Sequence, residues 1–122
     1  MKKVAFICVH NSCRSQIAEA LCKKYRNDLV PYSAGTEIKD SINKDAVRIM
    51  KEKYNINISL QYPKLLKDIP ECDIYISMGC NVGCPMIKKG FDDNFMIEDP
   101  TGKDDDKFIK IIEEIKRKIL NL

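Results

Sequence analysis

The sequence predicts an α/β fold: one three-layer domain, a four-stranded parallel sheet with helices on both faces. Three observations lead there. Short apolar runs of strand length alternate with segments of helical periodicity along the whole chain. No repeat or low-complexity linker interrupts that alternation. At 122 residues the chain can bury one proper core but not two, so the domain spans 1–122.

Val4 to Val9 is continuously apolar but for Cys8, as expected of a central strand buried on both faces. The helix behind it starts near Ser15 and shows Ala18, Leu21, Cys22 and Tyr25 on one face. Leu29 to Ser33 reads as the second strand, closed by Ala34-Gly35. Ala46, Val47, Ile49, Met50 and Tyr54 mark a second helix, and Ile56 to Ile58 an extended stretch after it. Leu65 and Leu66 belong to a short helix before the third strand, Asp73 to Met78. Phe95-Met96-Ile97 reads as the fourth strand. In the last helix Phe108, Ile111, Ile112, Ile115, Ile119 and Leu122 keep helical spacing against a charged opposite face.

Composition excludes several functions. Hydrophobic residues make up 44% and charged residues 32%, ordinary for a soluble globular protein. The net charge of +3 comes from well-mixed lysine and glutamate, and tryptophan is absent, so no nucleic-acid surface is expected. Met1-Lys2-Lys3 before apolar residues faintly mimics a signal peptide, but the run stops too early in His10-Asn11-Ser12. No stretch approaches the roughly 20 apolar residues of a membrane span. A cytoplasmic monomer is expected. Six cysteines in such a chain argue for transient redox chemistry over a static disulfide framework.

The chemistry concentrates in Cys8-Val9-His10-Asn11-Ser12-Cys13-Arg14. Strand, short loop and helix together aim backbone N–H groups and a helix N-terminus at one point. Only a few per cent of free cysteine is thiolate at neutral pH, and a helix N-terminus with a nearby cation raises that share. The same field holds a tetrahedral oxyanion, and the Arg14 fork can grip two of its oxygens. Residues Val9 to Ser15 therefore form the candidate oxyanion cradle. Asn11 suits a left-handed backbone position, and Ser12 and Ser15 can donate to the sulfur or to loop carbonyls. The alternative is a buried structural cysteine followed by a helix-start arginine. His10, the only histidine, reads as a loop residue and not as a base.

Active sites of open parallel sheets lie at the strands' carboxyl ends. Cys8, Cys80 and Asp99 each follow a predicted strand, so the fold should bring them together. Pro100 fixes the backbone beside Asp99, whose carboxyl could give a proton to an oxygen leaving group; an ordinary turn aspartate is the alternative. Cys80 and Cys84 flank a glycine-containing segment, which suits a thiol relay, a metal half-site or two idle thiols. Cys13, Cys22 and Cys72 read as structural, although Cys13 could protect Cys8 from overoxidation.

Together these pieces resemble the low-molecular-weight tyrosine phosphatase superfamily, and within it the thioredoxin-coupled arsenate reductases. Cys8-x5-Arg14-Ser15-Gln16-x-Ala18-Glu19 is similar to the family's anion loop and first helix. Tyr32-Ser33-Ala34-Gly35 matches the segment closing the second strand, and Asp99-Pro100 the acid loop. Phosphatase members carry aromatic residues after that Asp-Pro and lack the Cys80 and Cys84 pair; here Thr101-Gly102-Lys103-Asp104 follows, as in the reductases.

The resemblance implies that Cys8 attacks arsenate, Arg14 stabilises charge and Asp99 assists loss of water. Cys80 then attacks Cys8, arsenite leaves, and Cys84 takes over Cys80. It implies no bound cofactor, only an external thiol reductant: thioredoxin, or glutaredoxin with glutathione. Three departures stand out. His10 replaces a glycine, and only three residues separate Cys80 from Cys84. Some members also bind potassium; Asn11, Glu19 and Ser33 match that site, but Lys64 takes the acidic position, so its ammonium is expected to replace the ion. A tyrosine-phosphate or aryl phosphatase is the second reading. A metalloid- or metal-binding protein using Cys8, Cys80 and Cys84 as soft ligands is the third.

Overall fold

A computed structural model describes residues 1–37, 40–79 and 90–122. In chain order it contains β1 (Lys2–Cys8), α1 (Arg14–Tyr25), β2 (Leu29–Gly35), α2 (Lys44–Tyr54), a 3₁₀ turn (Leu66–Asp68), β3 (Ile74–Ser77), β4 (Asp93–Asn94) and α3 (Asp105–Leu120). The four strands form one sheet in the order β2-β1-β3-β4, with every pairing parallel.

β1 lies between two neighbours, which is why its side chains are apolar on both faces: Val4 to Ile7 are completely buried. β2 is an edge strand, and an edge tolerates Pro31, which has no N–H for a ladder. The chain runs outward from β1 in both directions, to β2 on one side and β3 on the other. That reversal opens a crevice at the carboxyl ends of β1 and β3, and Cys8 is the last residue of β1.

Alternation along the strands divides the core. Val4 and Phe6 join Ile17 and Leu21 of α1, Ile49 and Met50 of α2, and Ile112 and Ile115 of α3. Ala5, Ile7, Ala34 and Tyr75 point the other way, against Leu66, Ile69 and Phe91. Among the described residues, then, the three α-helices share one core with one face, and the 3₁₀ turn helps cover the other. Capping follows the sequence locally. Asn43 accepts from the Ala46 N–H at 3.0 Å and Asp104 from the Lys107 N–H at 2.9 Å. Asp105 and Asp106 in the first turn of α3, and Arg117 and Lys118 in its last, complement the helix dipole.

The structure differs from the sequence reading at three places. β4 is Asp93–Asn94, just before the predicted Phe95-Met96-Ile97. Phe95 and Ile97 are buried as an alternating strand requires, and their N–H groups still reach Ser77 and Met78 carbonyls at 2.8 and 3.0 Å. Met96 between them adopts φ +54°, a left-handed bend that ends strand geometry. Leu122 lies past the end of α3 and is 36% exposed, so it does not continue the apolar face. Finally, α1 is buried from Ser15 to Cys22 on every side, polar residues included, because its polar side faces the anion loop rather than water. No helix among the described residues is long and apolar enough to cross a membrane.

Replacing the fully buried Ile112 with alanine should lower unfolding free energy by about 3 kcal/mol in urea titrations. Leu60→Ala, at a side chain 90% exposed, should change it by less than about 0.5 kcal/mol.

Candidate active site

β1 delivers Cys8 and α1 begins at Arg14, so the intervening loop must reverse direction within five residues. Asn11 makes the turn. It is completely buried and has φ +51°, a region where asparagine is among the least disfavoured side chains. His10 is not in that region, so the bulk at this position does not distort the loop.

Neighbouring segments hold the loop from outside. The Val9 carbonyl accepts from the Thr36 and Glu37 N–H groups, both at 2.9 Å, and the Ser12 carbonyl from the Asn43 N–H at 2.8 Å. These contacts engage two loop carbonyls from outside, and a concave backbone with N–H groups turned inward is the arrangement that binds anions. The Asn11 N–H lies 3.3 Å from Cys8 Sγ. Ser15 Oγ is 2.8 Å from the same sulfur. Because Ser15 Oγ already accepts from Asn11 Nδ2 at 2.8 Å, its own hydrogen is left for the sulfur. A thiolate at Cys8 can only accept, so Ser15 donates to it.

Arg14 Nη1 donates to the Ile97 carbonyl at 2.8 Å and the Met78 carbonyl at 3.3 Å. This anchors one corner of the guanidinium between the segments that follow β3 and β4. Gly79 has φ +117°, and a Cβ there would stand 3.0 Å from both the Ile97 nitrogen and oxygen. Asp99 Oδ1 accepts from Thr101 Oγ1 at 2.8 Å and from the Thr101 N–H at 3.1 Å. Cys8, Arg14 and Asp99 meet in one pocket of about 40 Å³, completed by Val9, His10, Ser12, Cys13 and Thr101. Cys80 and Cys84 lie outside the described residues.

The other candidates are placed as follows. Cys13 is buried at the start of α1, and burial, with Asp99 and Cys8 nearby, pushes its thiol far above the ordinary range. Burial likewise pushes Cys22 up to about 11. The Cys72 N–H donates to the Tyr75 hydroxyl at 2.9 Å, on the opposite face of the sheet. Among the described residues no three His, Cys, Asp or Glu side chains gather as a metal site.

At the expected potassium site, Ser33 donates to Glu19 Oε1 at 2.6 Å and Lys64 Nζ stands 3.7 Å from the same oxygen. Asn11 Oδ1 is taken by the Lys64 N–H at 2.8 Å and by Gln16 Nε2 at 2.9 Å. Burial holds the Lys64 ammonium below the usual lysine range, while Glu19 opposes that shift. These residues do not fit a potassium ion as well, since an ammonium already occupies the carboxylate and the amide oxygen is spent.

Sequence reasoning missed two supports. Gln16 is completely buried and its Nε2 also reaches the Tyr62 carbonyl at 2.9 Å. A Cβ on Gly35 would stand 2.5 Å from the Val9 oxygen and 2.9 Å from the Cys8 oxygen. The signal for Gly35 was its place at a strand end; what it had to clear was invisible.

Residues 3–83 match the low molecular weight phosphotyrosine protein phosphatase family. The chain belongs to that family. Among similar proteins, "Arsenate reductase 1" of Staphylococcus epidermidis is 35% identical across 97% of this chain and 92% of its own. "Glutaredoxin arsenate reductase" of Synechocystis is 31% identical across 100% of this chain and 96% of its own. A solved structure, "An arsenate reductase in the phosphate binding state", superposes with a TM-score of 0.85 at 31% identity, covering 99% of this chain and 95% of that one.

Gly35→Ala should push the anion loop out of place. Inorganic phosphate affinity should fall by about fivefold to a hundredfold in titration calorimetry, the scale of an overpacking penalty of about 1–3 kcal/mol.

Proposed function

We propose that this protein reduces arsenate to arsenite through a cysteine relay. The observation that carries the reading is the meeting of Cys8, Arg14 and Asp99 in one small pocket at the end of β1. The names of its relatives support the substrate.

The Cys8 thiolate attacks arsenic(V), Arg14 and the loop N–H groups stabilise the developing charge, and Asp99 gives a proton to the departing hydroxyl, which leaves as water. The Cys80 thiolate then attacks Cys8 Sγ. A Cys8–Cys80 disulfide forms, the sulfur–arsenic bond breaks, and its electron pair reduces arsenic to the trivalent state. Cys84 attacks Cys80, forms the Cys80–Cys84 disulfide and frees Cys8. An external dithiol restores the pair: thioredoxin, or glutaredoxin with glutathione. The unit acts as a cytoplasmic monomer, and Lys64 stands in for potassium beside Glu19.

A second reading draws on the same pocket. Cys8, Arg14 and Asp99 are also the groups needed to hydrolyse a phosphomonoester, with water in place of Cys80.

Arsenate-dependent NADPH oxidation, coupled through thioredoxin or glutaredoxin and run beside p-nitrophenyl phosphate hydrolysis, tests the reading. Cys8→Ser should abolish both activities. Cys84→Ser should abolish sustained arsenate turnover and spare phosphate ester hydrolysis; intact turnover in that variant would overturn the relay. For the cation, the natural protein should show no potassium dependence in thermal melts or rate. Lys64→Asp, which restores an acidic ligand, should become stabilised by potassium over sodium.

A further inference from the structure

We propose that His10 is a specificity-determining residue: its imidazole, held by Glu37 at the rim of the anion pocket, admits bare tetrahedral oxyanions and disfavours phosphate esters. The inference rests on the oxyanion-binding reading of this pocket and names the substrate class it selects.

Two independent links place the imidazole. The first is backbone: the Val9 carbonyl accepts from both the Thr36 and Glu37 N–H groups, so the stretch after β2 is fastened to the residue preceding His10. The second is the side chain: His10 Nε2 lies 3.2 Å from Glu37 Oε2. Glu37 is therefore held at its own backbone by the loop whose side chain it grips. The contact biases the orientation of a ring that is 42% exposed, through a Glu37 side chain that is itself 70% exposed.

The ring's place matters because the pocket is small. His10 lines it together with Cys8, Arg14, Asp99 and Thr101. Asp99 is tied to Thr101 through two hydrogen bonds, so a second rim group is also anchored. Arsenate and phosphate carry four oxygens and no substituent. An ester bound through its phosphoryl group must pass its carbon substituent out through the mouth, between such anchored side chains. A glycine at position 10 would leave that passage wider, and His10 does not need to be glycine, because the left-handed turn is made by Asn11.

Binding can be read without turnover in a Cys8→Ser background, with inorganic phosphate and phenyl phosphate as titrants in calorimetry. The ratio of their dissociation constants should shift toward phenyl phosphate by about tenfold in His10→Gly and His10→Ala, the scale of opening or filling a small contact in a binding pocket. Glu37→Ala, which releases the ring without removing it, should shift the ratio in the same direction by a smaller factor. If the parent binds inorganic phosphate and neither His10 variant moves the ratio, the rim proposal is overturned while the oxyanion reading stands. If the parent binds neither titrant, both are overturned.

Discussion

Everything at the site depends on how one buried side chain, Asn11, spends its hydrogen bonds. A left-handed residue with no solvent contact must repay both its backbone conformation and its desolvated amide. Asn11 does so on all sides. Its Oδ1 receives Gln16 and the Lys64 N–H, its Nδ2 donates to Ser15, and its backbone N–H approaches the Cys8 sulfur. One residue thus joins the strand end, the first helix and the loop before β3. It also leaves the Ser15 hydroxyl hydrogen for the sulfur, so the turn that shapes the loop also assigns a donor to Cys8 Sγ.

The second constraint is the collar around Arg14. A guanidinium grips an oxyanion well only if its fork is already aimed, because an unplaced arginine loses rotamer entropy on binding. Two carbonyls aim it here, from Met78 and Ile97, and each lies beside irregular backbone. Gly79 has φ +117°, and Met96 holds φ +54° although it is not glycine and its side chain is 76% exposed. A left-handed methionine costs roughly 1–2 kcal/mol. Such local cost is tolerated where the surrounding structure over-determines the bend, and it collects at functional sites. Here the bend ends β4 early and turns a carbonyl onto Arg14.

Beneath the loop, a half-buried cation meets a buried anion. Ser33 and Lys64 converge on one oxygen of Glu19, and Lys64 also donates to the Tyr62 carbonyl at 3.0 Å. Removing either charge would leave the other desolvated and unpaired, which is the costly case for buried ions. The ammonium beside Glu19 is tethered to the chain, so this charge pair beneath the anion loop is built into the fold.

How much was legible beforehand follows from the range of each interaction. β1, β2, β3, α2 and α3 were readable because their periodicity is local and because strands alternating with helices admit few parallel topologies. Cys8, Asn11, Arg14 and Ser15 were readable for a similar reason: eight consecutive residues carry the thiol, the turn, the cation and the hydroxyl. Asp99 could be placed at a strand end and so expected on the same side of the sheet as Cys8, but its contacts there could not be read. Its arrival beside Cys8 depends on β3 pairing with β1 and β4 with β3, and the tertiary structure decided that. The same holds for Gly35, whose missing Cβ makes room for carbonyls 26 and 27 residues earlier in the chain. It holds for Gln16, which looks like an ordinary helix-surface glutamine until α1 is seen to be enclosed. Met96 shows the limit most clearly. Its apolar neighbours alternate as a strand should, and the alternation survives in their burial. Whether the backbone between them stays extended is settled by the close approach of Gly79 and the hydrogen bonds of Arg14, contacts that local sequence does not encode.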